Sequence, residues 1–282
     1  RSEAKMKLFK RSLVEVKMPE NMVQIGREAF LGCTSLSSIK LPAGLTRLEW
    51  YTFSGCSGLA DISLPESLTV IEGYAFEGCS ALSSIKLPEG ITSIGGSAFA
   101  KCGELAEFEL GPNLNTIGAQ ALASCNSLEH LIIKSKSLNF ASDIGVSTTG
   151  LRKVTIHCDS VGELNETVLK LWQAAEVSFE GEGYFSLSSI LPLGRPVRRE
   201  LQSGNYYADG TGALYLLKDG TASLAYVPSG LTRYTVRNRI GGQGEWIVCS
   251  VERDALKMAD DLQALDFEGA EEITELPDYC CG

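Results

Sequence analysis

The chain has 282 residues, 44% of them apolar and 21% charged, so it is long and apolar enough to fold around a sizeable core. Its 35 acidic and 25 basic side chains leave a formal charge of −10, which argues against a nucleic-acid partner and against adsorption to anionic lipid, since both need a basic face. No apolar run approaches the roughly 18–20 residues of a membrane helix, and no signal-like stretch follows Arg1, so the compartment is not legible at this end.

In chain order, Leu13, Val16, Met18 and Pro19 open a pattern that recurs every 23 residues. Its clearest units run from Ile25 to Pro42 and from Ile71 to Pro88, with Leu48 to Pro65 between them and Ile94 and Ile117 opening two more. The apolar positions align in columns: Ile25/Leu48/Ile71/Ile94/Ile117, Phe30/Phe53/Phe76/Phe99/Leu122, Leu36/Leu59/Leu82/Leu105/Leu128 and Ile39/Ile62/Ile85/Phe108/Leu131. Another column is made entirely of cysteine: Cys33, Cys56, Cys79, Cys102 and Cys125. Leu151, Val154 and Ile156 continue the period, as do Val177 and Phe179. A fixed period of this length marks a solenoid.

Within a unit, the L-x-x-I-x-L segment ends in period-two alternation. Ile85 and Leu87 therefore point inward from a short strand while Ser84 and Lys86 point out. Proline follows the strand at Pro19, Pro42, Pro65 and Pro88, where its fixed φ favours a turn. One such turn buries too little apolar surface to offset its own ordering, so the units are expected to stack. Between residues 161 and 172, Val161, Leu164, Val168, Leu171 and Trp172 recur at helical spacing and predict a short outer helix.

The motif I-G-x-x-A-F-x-x-C-x-x-L-x-x-I-x-L-P resembles the BspA-like family of leucine-rich repeats, named for bacterial surface proteins. The likeness is clear from Ile25 to about Ile133 and extends in degenerate form over roughly residues 5–180. The resemblance implies an α/β repeat solenoid, a curved array with a parallel β-sheet on its concave side. It also implies exposure at the cell surface or secretion, and adhesion or protein binding in place of catalysis.

The repeat disappears after about Glu180. Residues 189–201 carry two prolines and three arginines and read as an irregular connector. Residues 213–217 and 221–227 then read as two strands joined through Lys218-Asp219-Gly220, with Tyr234–Val236 as a third strand and 241–245 as a loop. From Val248 to Gly269 the repeat pattern returns, with Val251, Ala255, Leu256, Ala259, Leu262, Leu265 and Phe267 in the familiar columns. The organisation expected is a first repeat block over 1–182, a connector and β-hairpin segment over 183–247, and a second short repeat block over 248–282. That second block reads as the opening of an array cut short.

Catalytic signatures are missing from the sequence: it contains no G-x-S-x-G, H-E-x-x-H, G-x-G-x-x-G or phosphate-loop pattern. The cysteine column has no C-x-x-C spacing for zinc and reads as a structural ladder of reduced thiols, so neither metal nor cofactor is expected. Cys280 and Cys281 read as part of an interrupted core column. His130 falls in an outward strand column, and the arginines at 195, 198 and 199 read as a solvated linker.

What remains is surface. The outward strand positions form two columns, Ser38/Asp61/Ser84/Glu107/His130/Lys153/Glu176 and Lys40/Ser63/Lys86/Glu109/Ile132/Thr155/Ser178. A rigid array presenting such positions at fixed spacing suits a protein or glycan partner. The candidate contacts are Lys40, Asp61, Lys86, Glu107, Glu109, His130, Ile132 and Lys153. The expected function is a non-catalytic interaction or adhesion module, with a structural spacer that positions another domain as the alternative.

Overall fold

A computed structural model describes residues 11–135, 139–140, 144–145, 150–159, 163–164, 176–187, 191–193, 199–241, 246–257, 259–269, 272–273 and 276. The chain divides into two compact units, Arg1–Arg152 and Lys153–Gly282.

In the first unit the turns of the repeat build two parallel ladders. One ladder is built from the L-x-x-I-x-L strands: Ser38–Lys40 pairs with Asp61–Ser63, and Glu107–Leu110 pairs with His130–Ile133. The other runs along the flank as a five-stranded sheet of Arg47–Leu48, Val70–Ile71, Ser93–Ile94, Thr116–Ile117 and Asn139–Phe140. The registered pairs, Ile39 with Ile62 or Ile71 with Ile94, are the columns of the sequence brought side by side.

The first of these ladders has a break that the sequence did not announce. Residues 84–86, which carry Lys86, form no strand, and Ile85 and Leu87 are only half-buried. The break adjoins the turn whose Ile column holds phenylalanine. Phe108 is buried and sets its ring edge-on against Phe99, with centroids 5.0 Å apart.

The helical half of the expected α/β class requires correction. Among the described residues helix is assigned only at Arg11 and Ser12. The outer arc of each turn is a string of tight turns instead. Its N–H groups alternate between local acceptors and the next rung: Leu31 N–H donates to Glu28 O at 3.1 Å, whereas Phe30 and Gly32 donate to Thr52 and Ser54 at 2.9 and 2.8 Å. Two residues per arc are left-handed, Glu28/Tyr51/Tyr74/Ser97/Gln120 in one column and Gly32/Gly55/Gly78/Lys101/Ser124 in the other. A right-handed helix cannot run through such positions. The helix expected over 161–172 lies largely outside the described residues, and Glu163–Leu164 is a strand.

Phenylalanines stack at the centre of the first unit. Phe30, Phe53, Phe76 and Phe99 lie 5.2, 5.5 and 5.1 Å apart in sequence, with planes within 11° of parallel. Beside them each cysteine thiol donates to the phenylalanine carbonyl of the preceding turn: Cys56 to Phe30 at 3.0 Å, Cys79 to Phe53 and Cys102 to Phe76 at 3.3 Å, and Cys125 to Phe99 at 3.1 Å.

In the second unit, Lys153–His157 pairs in parallel with Glu176–Glu180. The next strand, Glu182–Leu187, has two roles. Its end pairs in parallel with Glu163–Leu164, and its length starts an antiparallel meander through Gly204–Asp209, Leu214–Lys218 and Thr221–Tyr226. The last two strands join at Asp219-Gly220, both with positive φ (50° and 81°), as a two-residue hairpin demands. Within the stretch read as an irregular connector, Leu191–Leu193 and Arg199–Leu201 pair antiparallel.

The meander leads straight into a further solenoid turn. Thr221–Tyr226 pairs in parallel with Trp246–Val251, and Arg233–Arg237 pairs in parallel with Ala264–Glu268. The bonds Glu252 N–H to Leu224 O and Val227 N–H to Ala255 O repeat those of Glu72 to Leu48 and Phe53 to Ala75 in the first unit. Tyr234 and Val236 thus occupy the places of Ile62 and Leu64. Apolar side chains pack on both faces of the meander. Phe185 and Tyr206 stack at 5.6 Å on one side, next to Phe179 and Tyr226. On the other side Tyr207, Tyr215, Leu217, Ala222 and Leu224 join the core of the second array.

Candidate binding surface

The period-two alternation of the L-x-x-I-x-L strands decides which side chains face out. In Ser38–Lys40 and Asp61–Ser63 the central isoleucines are buried and both flanking residues are exposed. Lys40 stands level with Ser63, and Ser38 with Asp61. Together with Glu15, Lys17, Val16 and Met18 of the preceding turn they line an open groove of about 840 Å³.

Glu107 and His130 are also in register, and His130 Nδ1 lies 2.7 Å from Glu107 Oε2. Lys134 donates to Glu109 at 2.9 Å, with half-buried Ile132 registered beside Glu109. Lys40 and Lys86 enter no ion pair among the described residues. In the second unit Lys153 pairs in register with Glu176, and the Thr155 and Ser178 hydroxyls meet at 3.2 Å. The structure therefore brings Lys40 and Asp61 together, and Glu107, Glu109, His130 and Ile132 together. Lys86 lies on the segment without a strand.

The outer arc carries a cluster that the sequence reading passed over. Tyr51 and Tyr74 stack at 4.8 Å, Trp50 lies over Gly73, and the Arg27 guanidinium sits 5.9 Å from the indole centroid. The signal was available, since these residues replace one another at 23-residue spacing. Ring faces taken up by neighbouring turns make this a stacking device along the solenoid. Arg47 bridges Glu72 and Glu49 nearby, and Lys101 pairs with Glu77 at 2.8 Å.

The thiol ladder is chemically quiet. The described cysteines are free thiols, and burial raises the pKa of Cys79 and Cys102 well above the usual thiol range and that of Cys125 to about 11. Cys280 and Cys281 lie outside the described residues, as do the arginines at 195 and 198. Among the described residues no group of three His, Cys, Asp or Glu is placed to hold a metal, and no helix is long and apolar enough to cross a membrane.

One carboxylate sits deep in the second unit. Asp209 accepts from Tyr234 Oη at 2.6 Å and from the Thr211 amide and hydroxyl at 3.0 and 2.7 Å, and Tyr234 Oη meets Tyr215 Oη at 2.6 Å. Burial lifts both phenols, Tyr215 to about 12, so they stay protonated. Each donor of this chain has an acceptor, and the network ties the meander to the turn that carries Tyr234.

Comparison with known families places the BspA type leucine rich repeat region on residues 6–129 and 51–171, in six copies. No curated protein matches the chain. Among the solved structures similar to it are three leucine-rich-repeat proteins. A T. pallidum leucine rich repeat protein is 27% identical, with a TM-score of 0.39, over 56% of this chain and 66% of its own. A leucine-rich repeat protein from Bacteroides ovatus is 19% identical, with a TM-score of 0.47, over 88% and 65%. A leucine rich cell surface protein from Faecalibacterium prausnitzii is 16% identical, with a TM-score of 0.39, over 88% and 65%. The chain thus spans 65–66% of the length of these three.

Proposed function

From a chain that belongs to the BspA-type leucine-rich-repeat family, we propose a non-catalytic interaction or adhesion module of a bacterial surface or secreted protein. Repeat proteins of this family are in general interaction or surface modules. The finer reading is that a protein or glycan partner lies along the concave strands and touches Lys40, Asp61, Lys86, Glu107, Glu109, His130, Ile132 and Lys153.

The observation that carries this reading is the groove beside Lys40 and Asp61, whose walls are registered strands over a packed core. Side chains held this way lose little freedom on binding, so a partner meets a preorganised surface. The test is capture of extracellular-matrix and cell-surface proteins or glycans by the wild-type chain and by a charge-reversed variant (Lys40→Glu, Lys86→Glu, Glu107→Lys, Glu109→Lys). Capture is expected to fall at least tenfold in the variant, and equal capture by both would remove the concave face from the proposal.

A spacer is the second reading. It draws on the unbroken flank ladder from Arg47 to Phe140, which gives the first unit stiffness independent of any partner. A chain that captures nothing, yet holds a neighbouring domain of its own protein in place, would favour it.

A further inference from the structure

The meander of the second unit carries a groove of about 460 Å³ that has no part in the concave face. It crosses the seven-stranded sheet near the Asp219-Gly220 turn, with Tyr184 on one flank and Trp246 on another. Four strand spacings separate the strands that carry these two rings, about 19 Å across the sheet. Between them Ser186, Asn205 and Leu217 stand in register on three adjacent strands, and Lys218 and Asp219 form the rim.

Each part of the groove is held from behind. The Tyr184 ring packs at 5.0 Å on that of Tyr207, whose hydroxyl donates to Glu182. Trp246 rests against the core of the second array. The rim turn is fixed by its two left-handed residues and by Thr221 Oγ1 donating to Lys218 O at 3.0 Å. Yet Tyr184 remains 45% exposed, one of a few large apolar side chains left so open among the described residues, and Asn205 is exposed beside it.

The chemistry selects the ligand. The strands beneath the groove are interior to the sheet, each with a hydrogen-bonded neighbour strand on either side. An extended peptide therefore cannot add to them as a further strand. The one cation and one anion of the rim cancel, in a chain whose formal charge is −10. A polyanion gains nothing from such a site, and a neutral ligand incurs no repulsion. Aromatic rings at the flanks, with an amide that both donates and accepts and a hydroxyl between them, match a molecule with apolar C–H faces and a periphery of hydroxyls. We propose that this groove binds a short neutral oligosaccharide, with pyranose rings against Tyr184 and Trp246 and their hydroxyls bonded to Asn205, Ser186 and Asp219.

The test is isothermal titration of the full chain with cellotetraose, maltotetraose and chitotetraose, with a heparin tetrasaccharide and an unrelated hexapeptide as comparison ligands. At least one neutral tetrasaccharide is expected to bind saturably. Tyr184→Ala and Trp246→Ala should each weaken that binding about tenfold or more. Asn205→Ala, an exposed change, should weaken it at least threefold with the melting temperature unchanged, which keeps the test decisive if Trp246→Ala fails to fold. The charge-reversed concave variant should bind the sugar as the wild type does, which separates this site from the concave reading. The proposal is overturned if no neutral tetrasaccharide binds, if the heparin fragment or the peptide binds more tightly, or if Tyr184→Ala and Asn205→Ala leave the affinity unchanged.

Discussion

Cys79 and Cys102 sit in the middle of the thiol ladder, fully buried, each donating to a phenylalanine carbonyl of the turn before. A buried thiol whose pKa is raised exists as the unreactive protonated form. Native protein treated with iodoacetamide at pH 8 should therefore show Cys79 and Cys102 unmodified by peptide mass mapping, while half-buried Cys249 is alkylated. Modification of all three at one rate would refute the ladder. The same shift has a pH consequence. Cys125 loses its proton near 9 when unfolded and near 11 in the fold. Below pH 9 both states hold that proton and stability is intact. From pH 9 to 11 only the unfolded state releases it, so stability falls by on the order of 2 kcal/mol. A Cys125→Ala variant should lack that share of the alkaline loss in urea midpoints taken at pH 8 and pH 11.

Two left-handed residues per turn shape the outer arc. In one column they are Gly32, Gly55 and Gly78, each at φ 72°, but at Ser124 the same place is held at 58° by a residue with a Cβ. Left-handed φ costs an L-residue about 1–2 kcal/mol, and the looser unfolded chain of a glycine returns about 0.5–1 kcal/mol of that. Ser124→Gly should accordingly raise stability by roughly 0.5–1 kcal/mol, and Gly55→Ala should lower it by about 1 kcal/mol or more, both read from urea denaturation. A destabilising Ser124→Gly or a stabilising Gly55→Ala would show that the arc is not built on these positions. The same arc marks the limit of what the sequence told. Its columns were legible because a 23-residue period equals one rung, so Ile39 and Ile62 had to become neighbours. The Asp219-Gly220 turn was legible because few other pairs adopt its dihedrals. The missing helix was not, because Glu28, Tyr51 and Tyr74 carry no residue signal for a positive φ. Tyr234 and Val236 read as a third strand of the hairpin segment because their turn lacks the A-F-x-x-C segment, and their parallel pairing with Leu265 and Phe267, with the bonds of Leu224 and Val227, reveals the rung. Of the concave candidates, side-chain direction followed from alternation, whereas the pairing of His130 with Glu107 depends on rotamers that no pattern encodes. The Tyr184–Trp246 groove depends on sheet order and was out of reach for the same reason.

Across the whole first unit the stabilising contacts run between adjacent rungs: phenylalanine on phenylalanine, thiol on carbonyl, strand on strand. Stability in such a molecule is close to a sum of rung and interface terms, which makes length itself a variable that can be tested. Removing residues 49–71 would join Leu48 to Glu72. Because Leu48 pairs with Ile71, and Ile71 with Ile94, Leu48 would then take the place of Ile71 opposite Ile94. Every column survives, Phe30 faces Phe76, and one rung with its interface is lost. The shortened chain is expected to unfold cooperatively in urea, with a lower midpoint and a smaller dependence on denaturant because less surface is buried. Removing residues 49–70 instead shifts all that follows by one position. Only the interface between the turns on either side of the joint is put out of register, which turns inward side chains outward there, so this chain should have a lower urea midpoint than the 23-residue deletion. Equal behaviour of the two deletions would mean that the 23-residue rung is not the unit of stability. A 23-residue deletion that is the more stable of the two, although it lacks one residue more, would establish that it is.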